Sequence, residues 1–306
     1  MRVFVTGGRG FVGTWLVEHL RRCGDEVVAI DREVKITDPG AVGSAMVAAR
    51  PDAVFHLAAF AHVGRSWDDR AEVARVNVVG TAAVLDAARR CEQPPRVLVV
   101  SSAEVYGVVP PQRQPITESE PLAPVTPYAA SKAAAEQLAI QAHLGDGLHV
   151  VRARPFNHIG PGQSDAFVVS ALASRIVEAQ RVGGGPITVG NLSARRDMTD
   201  VRDVVRAYRL LVLQGEAGEA YNVCSGRALA VSDIAERLLA LAGGGMRLEV
   251  DPALVRPTDV PVVRGDPRRL VTATGWEPEV PLDDTLRAVL EDWRARRDGQ
   301  PRIATG

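Results

Sequence analysis

The chain has 306 residues, 46% of them hydrophobic, with 36 basic and 37 acidic side chains and a formal net charge of −1. That length supports a large buried core, and the balanced charge offers no positive field for nucleic acid or an anionic membrane, so both partners are excluded as first readings. Cys23, Cys91 and Cys224 share no metal-ligand spacing, and His56 and His62 form no metal-binding pair, so no metal is expected and the thiols read as reduced in a cytoplasmic protein.

Met1-Arg2 runs directly into an apolar strand at 3–6, with no targeting leader. No apolar run reaches the roughly 18 residues of a membrane helix. The next turn, Thr6-Gly7-Gly8-Arg9-Gly10-Phe11-Val12-Gly13, opens a helix predicted over 12–23, with Gly24 as its left-handed stop. Gly7, Gly10 and Gly13 allow a tight turn, close backbone approach to a pyrophosphate and close helix–sheet contact. The helix start at Phe11 and Val12 adds free N–H groups and the positive dipole end. A second strand, 27–30, leads to Asp31, eighteen residues past Gly13, where a carboxylate can accept from a ribose diol. Because that carboxylate repels a 2′-phosphate, NAD(H) is slightly favoured over NADP(H). Arg32 beside it pulls the other way, unless it is a solvated loop charge.

A third strand, 53–57, contains His56 and Leu57 and leads to Ala58-Ala59. After a helix over 73–91, the fourth strand, 97–100, runs into Ser101-Ser102-Ala103-Glu104-Val105-Tyr106-Gly107. A helix over 128–143 carries Tyr128 and Lys132 one turn apart on one face, about 6 Å from each other. Lys35 and Lys132 are the only lysines among the basic residues, which draws attention to the chemistry of this ammonium. A neighbouring ammonium favours phenolate, so Tyr128 is expected to titrate low. Ser102, at a strand's carboxyl end, can hydrogen-bond the substrate oxygen whose proton Tyr128 handles, and Lys132 can hold a nicotinamide ribose. Singly these are a half-buried tyrosine and a turn serine; the ordered set points to catalysis.

With a fifth strand at 150–153, strands alternate with helices, which predicts an α/β fold with a doubly wound, parallel Rossmann sheet. Beyond Pro155 the alternation loosens into helices near 167–181, 201–213, 232–241 and 282–297. The expected organisation is a dinucleotide-binding domain over 1–160 with a return at 191–228. A smaller C-terminal α/β lobe, 161–190 and 229–306, then stands over the sheet's carboxyl edge.

Taken in order, these residues resemble the extended short-chain dehydrogenase/reductases over nearly the whole chain. The resemblance implies that the glycine loop binds the cofactor pyrophosphate, that Ser102, Tyr128 and Lys132 are the catalytic set, and that the loop His56-Leu57-Ala58-Ala59 passes near the cofactor. It implies that Asn77, in Val76-Asn77-Val78-Val79-Gly80-Thr81, is a structural asparagine behind the site. Arg154-Pro155-Phe156-Asn157-His158-Ile159-Gly160-Pro161-Gly162-Gln163 is similar to the segment joining the sugar and nucleotide pockets, with Arg154 toward the cofactor and Asn157 toward the substrate. Gly190-Asn191-Leu192-Ser193-Ala194-Arg195-Arg196-Asp197 and Arg256-Pro257-Thr258-Asp259-Val260-Pro261 look like signatures of members that handle GDP-mannose derivatives. There Asn191 and Asp259 would touch substrate while Arg196 and Arg256 grip a diphosphate; the alternative is surface or ion-pair arginines.

The implied activity is hydride transfer from NAD(P)H to C4 of a GDP-linked 4-keto-6-deoxyhexose. The alternatives are 4,6-dehydration of GDP-mannose or 4-epimerisation, with the cofactor recycled, and, more remotely, a non-catalytic dinucleotide-binding module. Glu104 matches the carboxylate base of the dehydratases, or serves as an acceptor for a substrate hydroxyl. Lys35-Ile36-Thr37-Asp38 departs from the family's Asp-Leu-Thr-Asp, removing a carboxylate from an adenine contact and adding to Arg32 in favour of NADP(H). Relatives pair through two helices, here 73–91 and 128–143, so a homodimer is implied.

Overall fold

The computed structural model describes residues 1–251 and 260–299. The apolar runs of the first half form β1 (Arg2–Thr6), β2 (Glu26–Ile30), β3 (Ala53–His56), β4 (Arg96–Val100) and β5 (Val150–Pro155). They are linked through α1 (Phe11–Arg22), α2 (Pro39–Ala49), α3 (Arg70–Ala74), α4 (Gly80–Arg89) and α5 (Pro127–Asp146). The second half contributes β6 (Asn157–Ile159), α6 (Val168–Arg181), β7 (Gly185–Val189), β8 (Arg195–Asp200), α7 (Val201–Gln214), β9 (Ala220–Val223) and β10 (Ala228–Ala230). It continues with α8 (Val231–Ala242), β11 (Met246–Val250), β12 (Val262–Val263), α9 (Arg268–Thr274) and α10 (Leu282–Arg297).

The large sheet runs β2-β1-β3-β4-β5-β9, and every neighbouring pair is parallel. Successive side chains of a strand point to opposite faces. Val3, Val5 and Phe55 therefore meet α1 and α7, whereas Phe4, Val54 and Val97 meet α2, α4 and α5. Both faces are dry, as a parallel sheet requires, and each fully buried Leu or Phe stabilises it by about 1.5–3 kcal/mol. The winding reverses between β1 and β3, so the loops after β1, β3 and β4 open at one edge, where doubly wound sheets bind ligands.

Gly24 closes the first helical segment with φ +79°, as the sequence predicts. The helix expected over 73–91 is interrupted. A π turn at Arg75–Val79 separates α3 from α4, and such turns redirect one side chain out of a helix's regular stagger; here Asn77 is swung inward.

In the smaller lobe β8 pairs with β6, β10 and β12, and β7 pairs with β11. Helices α6, α8 and α10 close over a separate core that includes Ile176, Ile234, Leu286 and Trp293. The stretch 191–228 is shared between the two parts. Helix α7 and β9 join the large sheet's layers, while β8 and β10 belong to the smaller sheet.

Candidate active site

The cradle after β1 is built from the absence of side chains. Gly7 has φ +73°, and a Cβ there would lie 2.8 Å from the Ala58 amide nitrogen. A Cβ on Gly13 would lie 2.0 Å from the Gly7 carbonyl oxygen. Gly10 is the N-cap of α1 and makes no side-chain cap, so the first-turn amides at Phe11, Val12 and Gly13 have no helical acceptors of their own. A diphosphate is the group that such amides and the dipole end attract, so the residues present fit a dinucleotide. Asp31 has a further duty: its carboxylate accepts the Arg9 and Arg32 amides, each at 2.9 Å, tying the glycine loop to the end of β2. Asp31, Arg32, Leu57, Ala58 and Ala59 line one cleft with the glycines, about 1090 Å³ in volume, and Lys35 joins them there.

Behind the cradle a directed chain of hydrogen bonds sets the β3 loop. Thr81 Oγ1 donates to the Asn77 carbonyl at 2.6 Å, so it accepts from His56 Nε2 at 3.0 Å. His56 Nδ1 then accepts from Thr6 Oγ1 at 2.8 Å, and that hydroxyl accepts the Ala58 amide at 3.1 Å. This pattern requires a neutral imidazole. Burial first, and the Lys132 charge second, hold His56 down at about 3. The Asn77 side chain accepts from the Phe60 amide at 2.7 Å and donates to Ser131 Oγ at 2.8 Å, so the π turn fastens the β3 loop to α5.

Helix α5 begins at Pro127, with Thr126 Oγ1 accepting the Ala129 amide at 3.0 Å. That start places Tyr128 and Lys132, 9% and 7% exposed, in the floor of the cleft. Ser102 caps the short 3₁₀ turn Ala103–Tyr106, its Oγ accepting the Glu104 amide at 3.2 Å, and lies within hydrogen-bonding reach of Tyr128. The structure corrects one expectation. Burial pushes the Tyr128 phenol up to about 12, with the Ser102 hydrogen bond opposing and the Glu104 charge assisting. Lys132 is not among the groups that shift the phenol; its Nζ donates to the Val100 carbonyl at 2.8 Å. Burial lowers Lys132 itself to about 8 against the attraction of Glu136. Glu104 is open to the cleft yet ringed by protein, so desolvation raises its carboxyl while Arg196 opposes the rise.

Asn157 and Arg196 line the far part of the same cleft, and Arg196 Nη1 donates to the Val260 carbonyl at 2.7 Å. Arg154 does not line it. The residue is 4% exposed and its guanidinium is committed to Glu136 (Nε at 2.9 Å, Nη2 at 2.6 Å) and to the Tyr106 hydroxyl at 3.0 Å. Its position on a central strand aims it at α5, so the expected cofactor contact is replaced by a buried ion pair. Asn191 is also outside the cleft lining; its Oδ1 accepts from the Ser193 amide at 2.9 Å and hydroxyl at 2.7 Å in the turn before β8. Arg256 and Asp259 lie outside the described residues.

His158 is a wall residue that sequence reasoning left without a role. Its ring stacks on Phe11 at 6.0 Å between centroids and 6° between planes, with Nδ1 donating to the Phe156 carbonyl at 3.0 Å. Nothing in the sequence pairs residues so far apart.

Comparison with known proteins agrees with this geometry. The model of the NAD dependent epimerase/dehydratase family matches residues 3–224. The chain is 38% identical over 298 residues to the GDP-6-deoxy-D-mannose reductase of Pseudomonas aeruginosa, covering 96% of this chain and 98% of that protein. It is 32% identical to a dTDP-glucose 4,6-dehydratase of Streptomyces niveus, covering 97% and 94%. The structure of RMD from Pseudomonas aeruginosa complexed with NADPH superposes with a TM-score of 0.90 at 38% identity, covering 96% of this chain and 99% of that one. Since the family match runs from the first strand of the large sheet past its last, and so takes in both the glycine cradle and the Tyr128 floor, the chain belongs to the NAD dependent epimerase/dehydratase family of enzymes that use a nicotinamide dinucleotide.

Proposed function

We propose that the chain is a nucleotide-sugar reductase that transfers hydride from NAD(P)H to C4 of GDP-4-keto-6-deoxy-D-mannose, giving GDP-D-rhamnose. The observation that carries this reading is that Ser102, Tyr128 and Lys132 line one cleft with the glycine cradle. The buried Tyr128 phenol beside Ser102 carries the proton that a carbonyl reduction consumes. When bound, the reduced nicotinamide supplies the hydride. Ser102 donates a hydrogen bond to the carbonyl oxygen, and Tyr128 protonates that oxygen as the charge develops. Lys132 stays an ammonium below about pH 8 and holds the ribose. Arg196 faces the diphosphate and Asn157 the sugar. The GDP-linked substrate is supported by the Pseudomonas aeruginosa reductase, similar along its whole length.

Glu104 favours a second reading, a GDP-mannose 4,6-dehydratase. Its carboxyl shares the cleft with Ser102 and Tyr128, and desolvation makes it a better base. Mixing the protein with NADH or NADPH and the keto sugar, with GDP-mannose in parallel, separates the two. Stoichiometric loss of reduced-nicotinamide absorbance with the keto sugar alone is expected. Conversion of GDP-mannose without net cofactor change, abolished by Glu104→Gln, would replace the reductase by the dehydratase.

Arg32 and Lys35 beside Asp31 support use of NADPH as well as NADH. Exposed Val79 and Leu144, at 47% and 76%, lie on the two helical segments through which a homodimer would form. Among the described residues no helix is long and apolar enough to cross a membrane, and the unpaired cysteines support a cytoplasmic setting.

A further inference from the structure

The helix face that carries Tyr128 and Lys132 has a third member. One more turn along α5 stands Glu136, 0% exposed. Just past β4, Ser101 Oγ donates to it at 2.5 Å. From β5, Arg154 donates through Nε at 2.9 Å and Nη2 at 2.6 Å, and Arg152 through Nη1 at 3.2 Å. Arg154 also reaches the Tyr106 hydroxyl, which donates to Asn222 Oδ1 on β9 at 2.7 Å.

Two features separate this cluster from an ordinary buried ion pair. Ser101 precedes Ser102, so its bond to Glu136 fastens the strand end that bears Ser102 to the helix that bears Tyr128 and Lys132. The charge is also lopsided. Arg152, Arg154 and Lys132 converge on the one buried Glu136 carboxylate, with the half-exposed Glu219 a lesser partner of Arg152, and the other titratable groups near Lys132, His56 from β3 and Tyr128 from its own helix, are neutral. Without Glu136 three cations would share a buried space, and of the three only the lysine gives up its proton readily.

We propose that Glu136 is a positioning residue of the reduction: one carboxylate holds the Ser102 strand end against α5 and acts as counter-charge to the Lys132 ammonium. Its effect on turnover rests on the reductase reading above; its effect on Lys132 does not.

The chain's two lysines make the test direct. Protein labelled with ¹³C at lysine gives side-chain signals from Lys132 and Lys35 alone, and their pH titration needs no turnover. In Glu136→Gln, Lys132 should titrate lower by about one pH unit or more, with Lys35 unmoved. The kcat should fall about tenfold or more while KM for the sugar changes little, and the alkaline limb of kcat should move with the lysine. Ser101→Ala keeps the carboxylate and its arginines, so it should lower kcat and leave Lys132 where it is. Should Glu136→Gln not fold, Glu136→Asp is expected to preserve the lysine titration and lose kcat. An unmoved Lys132 in folded Glu136→Gln overturns the counter-charge. Unchanged kcat in these variants, with only a lower thermal midpoint, reduces Glu136 to a structural ion pair. A wild-type protein without hydride transfer sinks the reductase reading and leaves the lysine titration to decide the counter-charge.

Discussion

The two ends of the cleft are built on opposite principles. At the cradle the chemistry belongs to the backbone: Gly7 and Gly13 matter because a Cβ would strike Ala58 or the Gly7 carbonyl, and the helix start presents amides that any sequence possesses. At the floor the chemistry belongs to side chains whose properties are set by their surroundings. Tyr128 rises to about 12 and Lys132 falls to about 8 because both are buried, and each answers to neighbours on other elements. A backbone site is specified by what is missing and a side-chain site by what is packed around it, so the two should fail differently under mutation.

The largest effect is expected at the floor. Tyr128→Phe should lower kcat by about 10²–10⁴-fold while dinucleotide binding, followed by nucleotide fluorescence, stays near wild type. Equal losses of binding and turnover would erase the distinction between the two ends. At the cradle the pattern should invert. Gly13→Ala places a methyl 2.0 Å from the Gly7 oxygen and should destabilise the fold by about 1–3 kcal/mol, seen as a lower Tm, with a rise in the dinucleotide Kd that no pH change repairs.

A pH series sharpens the comparison. As pH rises through about 8, Lys132 loses its charge, and kcat/KM should fall by about tenfold per further unit. Stability runs the other way. The unfolded chain holds the lysine proton up to its ordinary pKa of 10.5, so between pH 8 and 10.5 it binds more protons than the folded state, and this group's contribution to stability rises. Activity lost in that window with Tm unchanged or higher therefore reports the ammonium, whereas a parallel fall of both would point to unfolding. The smallest effect is expected at the rim. Arg32→Ala or Lys35→Ala should raise KM for NADPH a few-fold and leave KM for NADH nearly unchanged, in keeping with the about 0.2–1 kcal/mol carried by exposed charge pairs.

Much of the cradle was legible in the sequence because glycine is itself the signal and the strand before it and helix after it are read from local periodicity. The Tyr128–Lys132 spacing was equally legible, since i and i+4 share a helix face wherever the helix lies. Its electrostatic consequence was not, because the burial that raises the phenol comes from packing by distant elements, and the ammonium's partner, the Val100 carbonyl, is 32 residues away. Arg154 shows the same limit: its motif pointed to the cofactor, yet Glu136, on the helix before it, takes the guanidinium. The π turn at Arg75–Val79 left no trace in apolar periodicity because it inserts one extra residue into an otherwise helical run.

By itself, then, the sequence determined the alternation of strands and helices, the bare turn for a diphosphate and the residues available for proton transfer, all of which depend on neighbours within a few positions. Only the tertiary structure decided the protonation of Tyr128, Lys132 and His56, the commitment of Arg154 to Glu136 and the sharing of 191–228 between two sheets. Burial and long-range pairing set those properties, and both arise only when distant segments pack together.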